Sequence, residues 1–445
     1  MMNDNRDNIE LITTQMKNSK KIIKKICYNK AYEIYGKDFS IEVKNRLDIE
    51  LTSIVNNNFE IIYLIYSEIA RYSNELGYKV SYRGNIGNSF VAYLLGITNI
   101  NPLYYNLPFE IFAGKDYNKE PDIELNVSSR IQTRIFKYLQ EKLGKDKIVC
   151  EEANLNNIDK TNNFRSIWKF WSYKFIIWGQ NNPTMIYELE KETNTNSNDI
   201  DMEDMETLQL FLHANYTTGI IEFGNSFVKK MLKIVKPQNF NDLVCTYALS
   251  HGTNTWSDNA YALIENEGKK VDEVISNRED MYNYLLNHGI NEDLDYDIVE
   301  FVRMGKIFKG RNTKQLDKNI NKDYNDKWNE YKKIMQEHNI PNWYIKSAEK
   351  IRYMFSKSHS IIHTMNAFKL AWYKAHYPEA FYKIYFKVLS NLNIKHYYCK
   401  QQVKAELAEL YNKEKKEEFD YVSEDAYKIE DLELVLEMYD RGILK

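Results

Sequence analysis

The chain has 445 residues and a mass of 53.0 kDa, long enough for two or three domains. An apolar share of 43% beside 28% charged residues excludes a disordered chain, and a formal charge of −3 excludes a histone-like basic binder while leaving room for a local basic groove. No stretch approaches the ~20 apolar residues that cross a bilayer, and the four dispersed cysteines (Cys27, Cys150, Cys245, Cys399) exclude a zinc ribbon or disulfide framework.

These features, with a polar Met1–Ile9 that is no signal peptide, point to a cytoplasmic chain with reduced thiols. Few Pro and Gly residues favour long helices. The first quarter reads as helix: KNSKKIIKKICYNKAYEIYG repeats Ile and Tyr at helical spacing, with Lys17, Lys20, Lys21, Lys24 and Lys25 on a solvated face. EVKNRLDIELTSIVN and FEIIYLIYSEIARYSNEL continue the pattern, and Gly77 ends the second of them.

The pattern changes at Tyr78. YKVSY alternates like a strand, RGNIGNS is a Gly-rich turn, and SFVAYLLGI resumes as helix. A second strand runs from Asp122 to Val127 and leads into the helix SSRIQTRIFKYLQEKLG. A third, KFIIW, precedes Gly179. The Asn-rich stretches Glu151–Asn163 and Lys191–Asp201 read as linkers. From Met202 onward the pattern is helices on short turns, their aromatic stripes serving as core, and Lys413–Lys445 reads as an acidic surface helix pair. The fold class expected is α+β and mostly helical: a small mixed sheet with covering helices, then a large all-α part.

Three constellations carry chemistry. In the turn, Arg83, Gly84 and Gly87 allow a backbone to approach an anion, and the following helix offers free N–H groups to it. Asp122 and Glu124 stand two apart on a strand and point to one face, where two oxygen donors suit Mg²⁺. Taken by itself, that pair is better explained as a solvated strand face. His359 and His363 have the spacing of a metal pair, but HSIIH lacks a zincin's Glu. Lys357 and His359, at a helix start, read as phosphate contacts, and no histidine forms a zinc set with a cysteine.

These motifs together resemble the palm and fingers of the PolC-type bacterial DNA polymerase III alpha subunit. YKVSYRGNIGNSFVAYLLGITNINPL resembles the family's nucleotide-binding turn, and LPFEIF…PDIELNV its P-D-I-D-L-N-F metal strand. GIIEFGNSFVKKML, LSHGTNTWSDNA, VRMGKIF, IPNWYIKSAEKIRYMFSKSHS and WYKAHYPEAFY follow in family order. The resemblance implies residues 1–76 as the helical N-terminal part of a polymerase β-like palm, 77–190 as a reduced palm and 191–445 as all-α fingers. It further implies DNA (primer–template) and dNTP as partners, met by Arg83, Gly84, Asn85, Ser89, Ser250, His251, Gly252, Thr253, Arg303, Lys306, Lys357 and His359.

The departures from the family pattern set the functional expectation. A two-metal centre needs three carboxylates to fix its ions. Asp122 stands where expected, Glu124 replaces an aspartate, and in YKFIIWGQNNPT the third acid's position holds Ile176. PLYYN replaces the family's zinc-binding loop, thirteen residues (151–163) stand in place of the thumb, and neither a nuclease region nor a clamp-binding region is evident. The expected protein is a PolC-like homologue that binds nucleic acid and nucleotide without nucleotidyl transfer, with Mg²⁺ held weakly at best by Asp122 and Glu124 and no zinc. The alternatives are an active minimal polymerase whose thumb and missing acid another chain supplies, Glu151, Glu152 and Asp159 being the only nearby acids of this chain by sequence, and a structural interaction module or replisome decoy.

Overall fold

The computed structural model describes residues 18–153, 164–170, 172–214, 216–311, 318–390, 392–397, 399–415 and 424–445. Three helices open the chain, Ser19–Tyr35, Ile41–Asn56 and Glu60–Glu75. Ser40 caps the second by accepting from the Val43 N–H. Gly77 follows the third at φ +88°, a conformation that favours glycine. Lys17 lies outside the described residues.

Five strands form one mixed sheet: β1 (Ser81–Arg83), β2 (Glu124–Ser128), β3 (Ile148–Ala153), β4 (Phe164–Phe170) and β5 (Tyr173–Gln180), in spatial order β1-β2-β5-β4-β3. Only the β2–β5 pair is parallel. One face is core: Phe175 meets Tyr66 of helix Glu60–Glu75 at 5.2 Å, and Trp168 meets Phe136 of helix Gln132–Leu143 at 5.2 Å. Leu125, Val127 and Ile177 are buried on the same side. Alternation turns Arg83, Glu124, Ile176, Trp178 and Arg165 to the opposite, open face.

Two linker expectations need correction. Glu151–Ala153 complete β3, so a strand occupies the start of the expected linker, while 154–163 and Asp159 with them lie outside the described residues. Phe164–Phe170 was not expected as a strand; its Phe/Trp alternation with Arg and Lys suits a sheet with one wet face. Lys191–Asp201 is no loose connection either. Helix Asn182–Thr193 runs into it, the Ser197 N–H donates to Glu190 at 2.8 Å, and the Thr195 hydroxyl lies 2.8 Å from that of Tyr373.

The C-terminal expectation also changes. Helix Glu424–Asp440 buries Leu432, Leu434 and Val435 completely, so it is core rather than surface. Its acids face inward as well: fully buried Lys374 pairs with Glu437 at 2.7 Å, and Lys229 with Glu433 at 3.0 Å. Burial together with these cations hides acids whose count alone reads as solvated. One apolar cluster runs from Ile23 to Met438 through the sheet, a second gathers residues 275–354 with Ile111, and a third joins 231–274.

Candidate functional site

Two neighbouring regions contain the residues singled out above. The first is the Gly-rich turn after β1. Gly84 stands at φ +78°, and a Cβ on Gly87 would meet the Tyr82 hydroxyl at 2.0 Å and Ser358 Cβ at 2.9 Å. Only glycine allows that approach. The Gly84 N–H donates to His359 Nδ1 at 2.9 Å, and Asn85 Nδ2 donates to the Ile111 carbonyl.

The expected free helix N-terminus is already filled. The carboxylate of fully buried Glu50 accepts from the N–H groups of Phe90 (2.8 Å) and Val91 (3.0 Å) and from the Ser89 hydroxyl (2.7 Å). Arg46 Nε donates to it at 2.6 Å. A second buried acid does the same for helix Lys357–His376. Glu279 accepts from the Ser356 hydroxyl at 2.6 Å and from the Lys357 N–H. Each terminus thus holds a carboxylate of the chain itself where the sequence suggests an external anion.

The other candidate binding residues, from Ser250 to His359, are committed in the same manner. Lys357 Nζ pairs with Asp280 at 2.6 Å, which together with Glu279 outweighs burial and keeps the ammonium raised. Arg303 forks onto Glu300 at 2.7–3.0 Å, and Arg278 shares that carboxylate at 3.0 Å. Lys306 lies over the Phe301 and Tyr324 rings at 5.6 and 5.9 Å. The Ser250 hydroxyl donates to the Tyr247 carbonyl, Gly252 N–H to the Ala248 carbonyl and Thr253 N–H to the Tyr353 carbonyl. His251 Nε2 stands 3.0 Å from Glu222, whose other oxygen is 3.5 Å from His363 Nδ1. Burial pushes the Glu222 carboxyl up, but the two histidines overcome this and hold it far below the ordinary range. Burial drives His359 well below its ordinary value, with the charges of His363 and His251 adding to the effect, so its Nδ1 remains an acceptor for Gly84.

The second region is the open face of the sheet. Asp122 is exposed just before β2, and Glu124 begins the strand half-buried. Ile176 is the direct register partner of Glu124 in the parallel β2–β5 pair. Tyr66 fixes this alignment from behind: its hydroxyl donates to the Ile123 carbonyl at 2.5 Å and accepts from the Ile176 N–H at 2.9 Å. Glu124 itself is engaged, because Trp178 Nε1–H donates to its Oε2 at 2.6 Å. Arg83 lies over the Trp178 ring at 4.2 Å and Arg165 at 5.8 Å. Beside Asp122, Lys119 is lowered by burial and by the positive charges of Arg278 and Arg303. Among the described residues no group of three or more His, Cys, Asp or Glu side chains is arranged to hold a metal ion.

Sequence reasoning missed Glu50, Glu279, Trp178 and Arg165. No motif flags a capping acid 40 residues away from the helix it caps. Trp178 lay inside the KFIIW run and was read only as strand core.

The small mixed sheet with one open face, bordered by an acid strand and a Gly turn and backed by helices, lies within the residues that match known families. Residues 21–222 match the bacterial DNA polymerase III alpha NTPase domain, and residues 182–342 match the finger domain of the same subunit. The chain is therefore a protein of the bacterial DNA polymerase III alpha class. Within that class it is a PolC-like relative. It is 29% identical to the PolC-type DNA polymerase III of Caldanaerobacter subterraneus over 95% of this chain and 38% of that protein. The PolC-type enzyme of Mycoplasmopsis pulmonis is 30% identical over 85% of this chain and 34% of its own length. That of Oceanobacillus iheyensis is 28% identical with the same coverage, 85% and 34%. The chain thus spans little more than a third of the length of these relatives.

Proposed function

We propose that this chain is a non-catalytic PolC-like protein that binds nucleic acid and nucleotide phosphates without joining them. The observation that carries the reading is the pairing of Ile176 with Glu124 in direct register, so that a hydrocarbon faces the acid strand where a third oxygen donor is needed. The residues present do not fit a two-metal centre: of the two acids, Glu124 already accepts from the Trp178 indole, over which Arg83 lies, and Asp122 interacts electrostatically with Lys119. Arg83 and Arg165 on the open face are the groups suited to the phosphates of a primer–template or a dNTP.

Primer extension with Mg²⁺ and with Mn²⁺ tests the reading alongside duplex binding by fluorescence anisotropy at rising salt. The expected outcome is no incorporation, with duplex affinity that falls steeply with salt as counterions are released. Incorporation that disappears in Asp122→Ala would establish an active minimal polymerase instead. Absence of any salt-dependent binding would favour an interaction module.

A further inference from the structure

We infer that the C-terminal helix Glu424–Asp440 is a pH-sensitive clasp on the turn 217–224, closed while Glu430 and Asp431 are protonated and loosened as they ionise.

The helix and its neighbours grip the turn closely. Gly219 stands at φ +74°, and a Cβ there would meet Leu434 Cδ1 at 2.9 Å and Tyr385 Cε2 at 3.1 Å. Thr218 is held at both its polar groups. Its carbonyl accepts from Lys374 Nζ at 2.6 Å, and its hydroxyl donates to Glu433 at 3.0 Å while accepting from Lys229 Nζ at 2.6 Å. The same turn carries Glu222, the carboxylate shared by His251 and His363, so the clasp bears on the histidines beside Gly84.

The acids along this contact divide by partner. Glu437 receives Lys374 at 2.7 Å and the Tyr382 hydroxyl, and Glu433 receives Lys229 at 3.0 Å. Their neighbours Glu430 and Asp431 meet neutral donors instead: the Gly219 N–H at 3.1 Å and the Ser390 hydroxyl at 2.6 Å. Among the described residues neither of the two forms an ion pair. Lys229, which acts on Glu430, is already engaged by Glu433, and Lys428 pairs with Glu406 of helix Lys400–Lys415. Tyr385 and Tyr397, which also face Asp431, are kept neutral by burial.

A carboxylate taken out of water without a cation favours its protonated form. Burial accordingly raises Asp431 from 3.8 to about 6, and burial followed by the charge of Asp431 raises Glu430. Ionisation is resisted only while the helix is docked, so docking is tightest below 3.8 and weakens as pH rises through about 6. Burial lowers Lys374 to about 8, so Glu437 keeps its cation across that range.

Hydrogen exchange of the full chain at about pH 5 and about pH 7, read by mass and corrected for intrinsic rates, tests the clasp. Peptides spanning 217–224 and 424–440 are expected to lose about tenfold in protection at the higher pH, the part of the Asp431 shift that lies between the two conditions. Helix Glu60–Glu75 should keep its protection. Asp431→Asn preserves shape and hydrogen bonding and should remove most of the loss, and Asp431→Asn with Glu430→Gln should abolish it. Glu222→Gln should leave the loss in place, which sets the clasp apart from the His251 pair. Constant protection in the parent chain, an equal loss in helix Glu60–Glu75, or a loss that survives Asp431→Asn would overturn the inference.

Discussion

The Gly84 turn and the β2–β5 strand pair lie next to one another, yet their polar groups behave oppositely. Around the turn the donors noted above meet acceptors from distant parts of the chain: Glu50 and Glu279 fill two helix starts, and His359 holds the Gly84 N–H. Across the open sheet face a hydrocarbon meets Glu124, and two guanidinium Nε atoms have no partner. Buried groups in folded proteins are nearly always paired, so donors met by the chain's own acceptors mark architecture, although Asn88 Oδ1 within the turn has no partner. The turn most resembling a nucleotide loop in sequence is therefore the more self-sufficient of the two regions.

Removing an acid from the turn is the strongest way to break this contrast. Glu50→Ala leaves Arg46 Nε and two helix N–H groups without their acceptor. Breaking such a buried pair costs about 3–5 kcal/mol, so urea unfolding should reveal a large loss. An unchanged midpoint would mean that the turn is not held together by its own acids. His359→Phe is the next in size. It removes the acceptor of the exposed Gly84 N–H, which water can replace, and should cost about 0.5–1.5 kcal/mol by the same measurement.

Much of this was legible beforehand, for physical reasons. The three leading helices follow from unbroken apolar periodicity, β2 from alternation and β5 from an apolar run before Gly179. The sequence motif puts Ile176 in the place of the family's third acid, and the sheet makes it the register partner of Glu124. What escaped was set by long-range pairing. β4 carries Arg165 and Lys169 among its aromatics, and charges interrupt an apolar run unless one knows that a face is open. Helix Glu424–Asp440 looks acidic and solvated until Lys374 and Lys229 are known to receive its acids. Glu50 and Glu279 act on helices that begin far away in sequence, where no local pattern can announce them.

The histidine pair on Glu222 sharpens the comparison through pH. The folded Glu222 carboxyl is depressed below its ordinary 4.5, so its stabilisation is present above that value and fades as pH falls further. Although burial lowers His251, its bond to Glu222 raises it overall, so that contribution is complete below 6.5 and fades as pH climbs through the folded value. Glu222→Gln is thus expected to cost about 1 kcal/mol between those limits and progressively less outside them. Thermal unfolding across pH 3–9 ~ should give a bell-shaped difference between parent and variant. A flat difference would detach Glu222 from the two imidazoles.

The smallest structural effect is expected on the open face, and it separates two reasons for a poor metal site. Ile176→Asp puts a carboxylate in register with Glu124, a like-charge pair that costs about 0.2–1 kcal/mol on a sheet. If the missing acid alone keeps divalent ions away, Mn²⁺ should recover that loss and raise the melting temperature further, since a ligand bound only by the folded state stabilises it. If the indole matters too, Ile176→Asp should respond weakly, because Glu124 still accepts from Trp178 and the arginines still stack beside it. The double variant Ile176→Asp with Trp178→Leu should then respond strongly. The geometry favours the second outcome, because restoring one oxygen changes neither the bond that occupies Glu124 nor the charge that surrounds it.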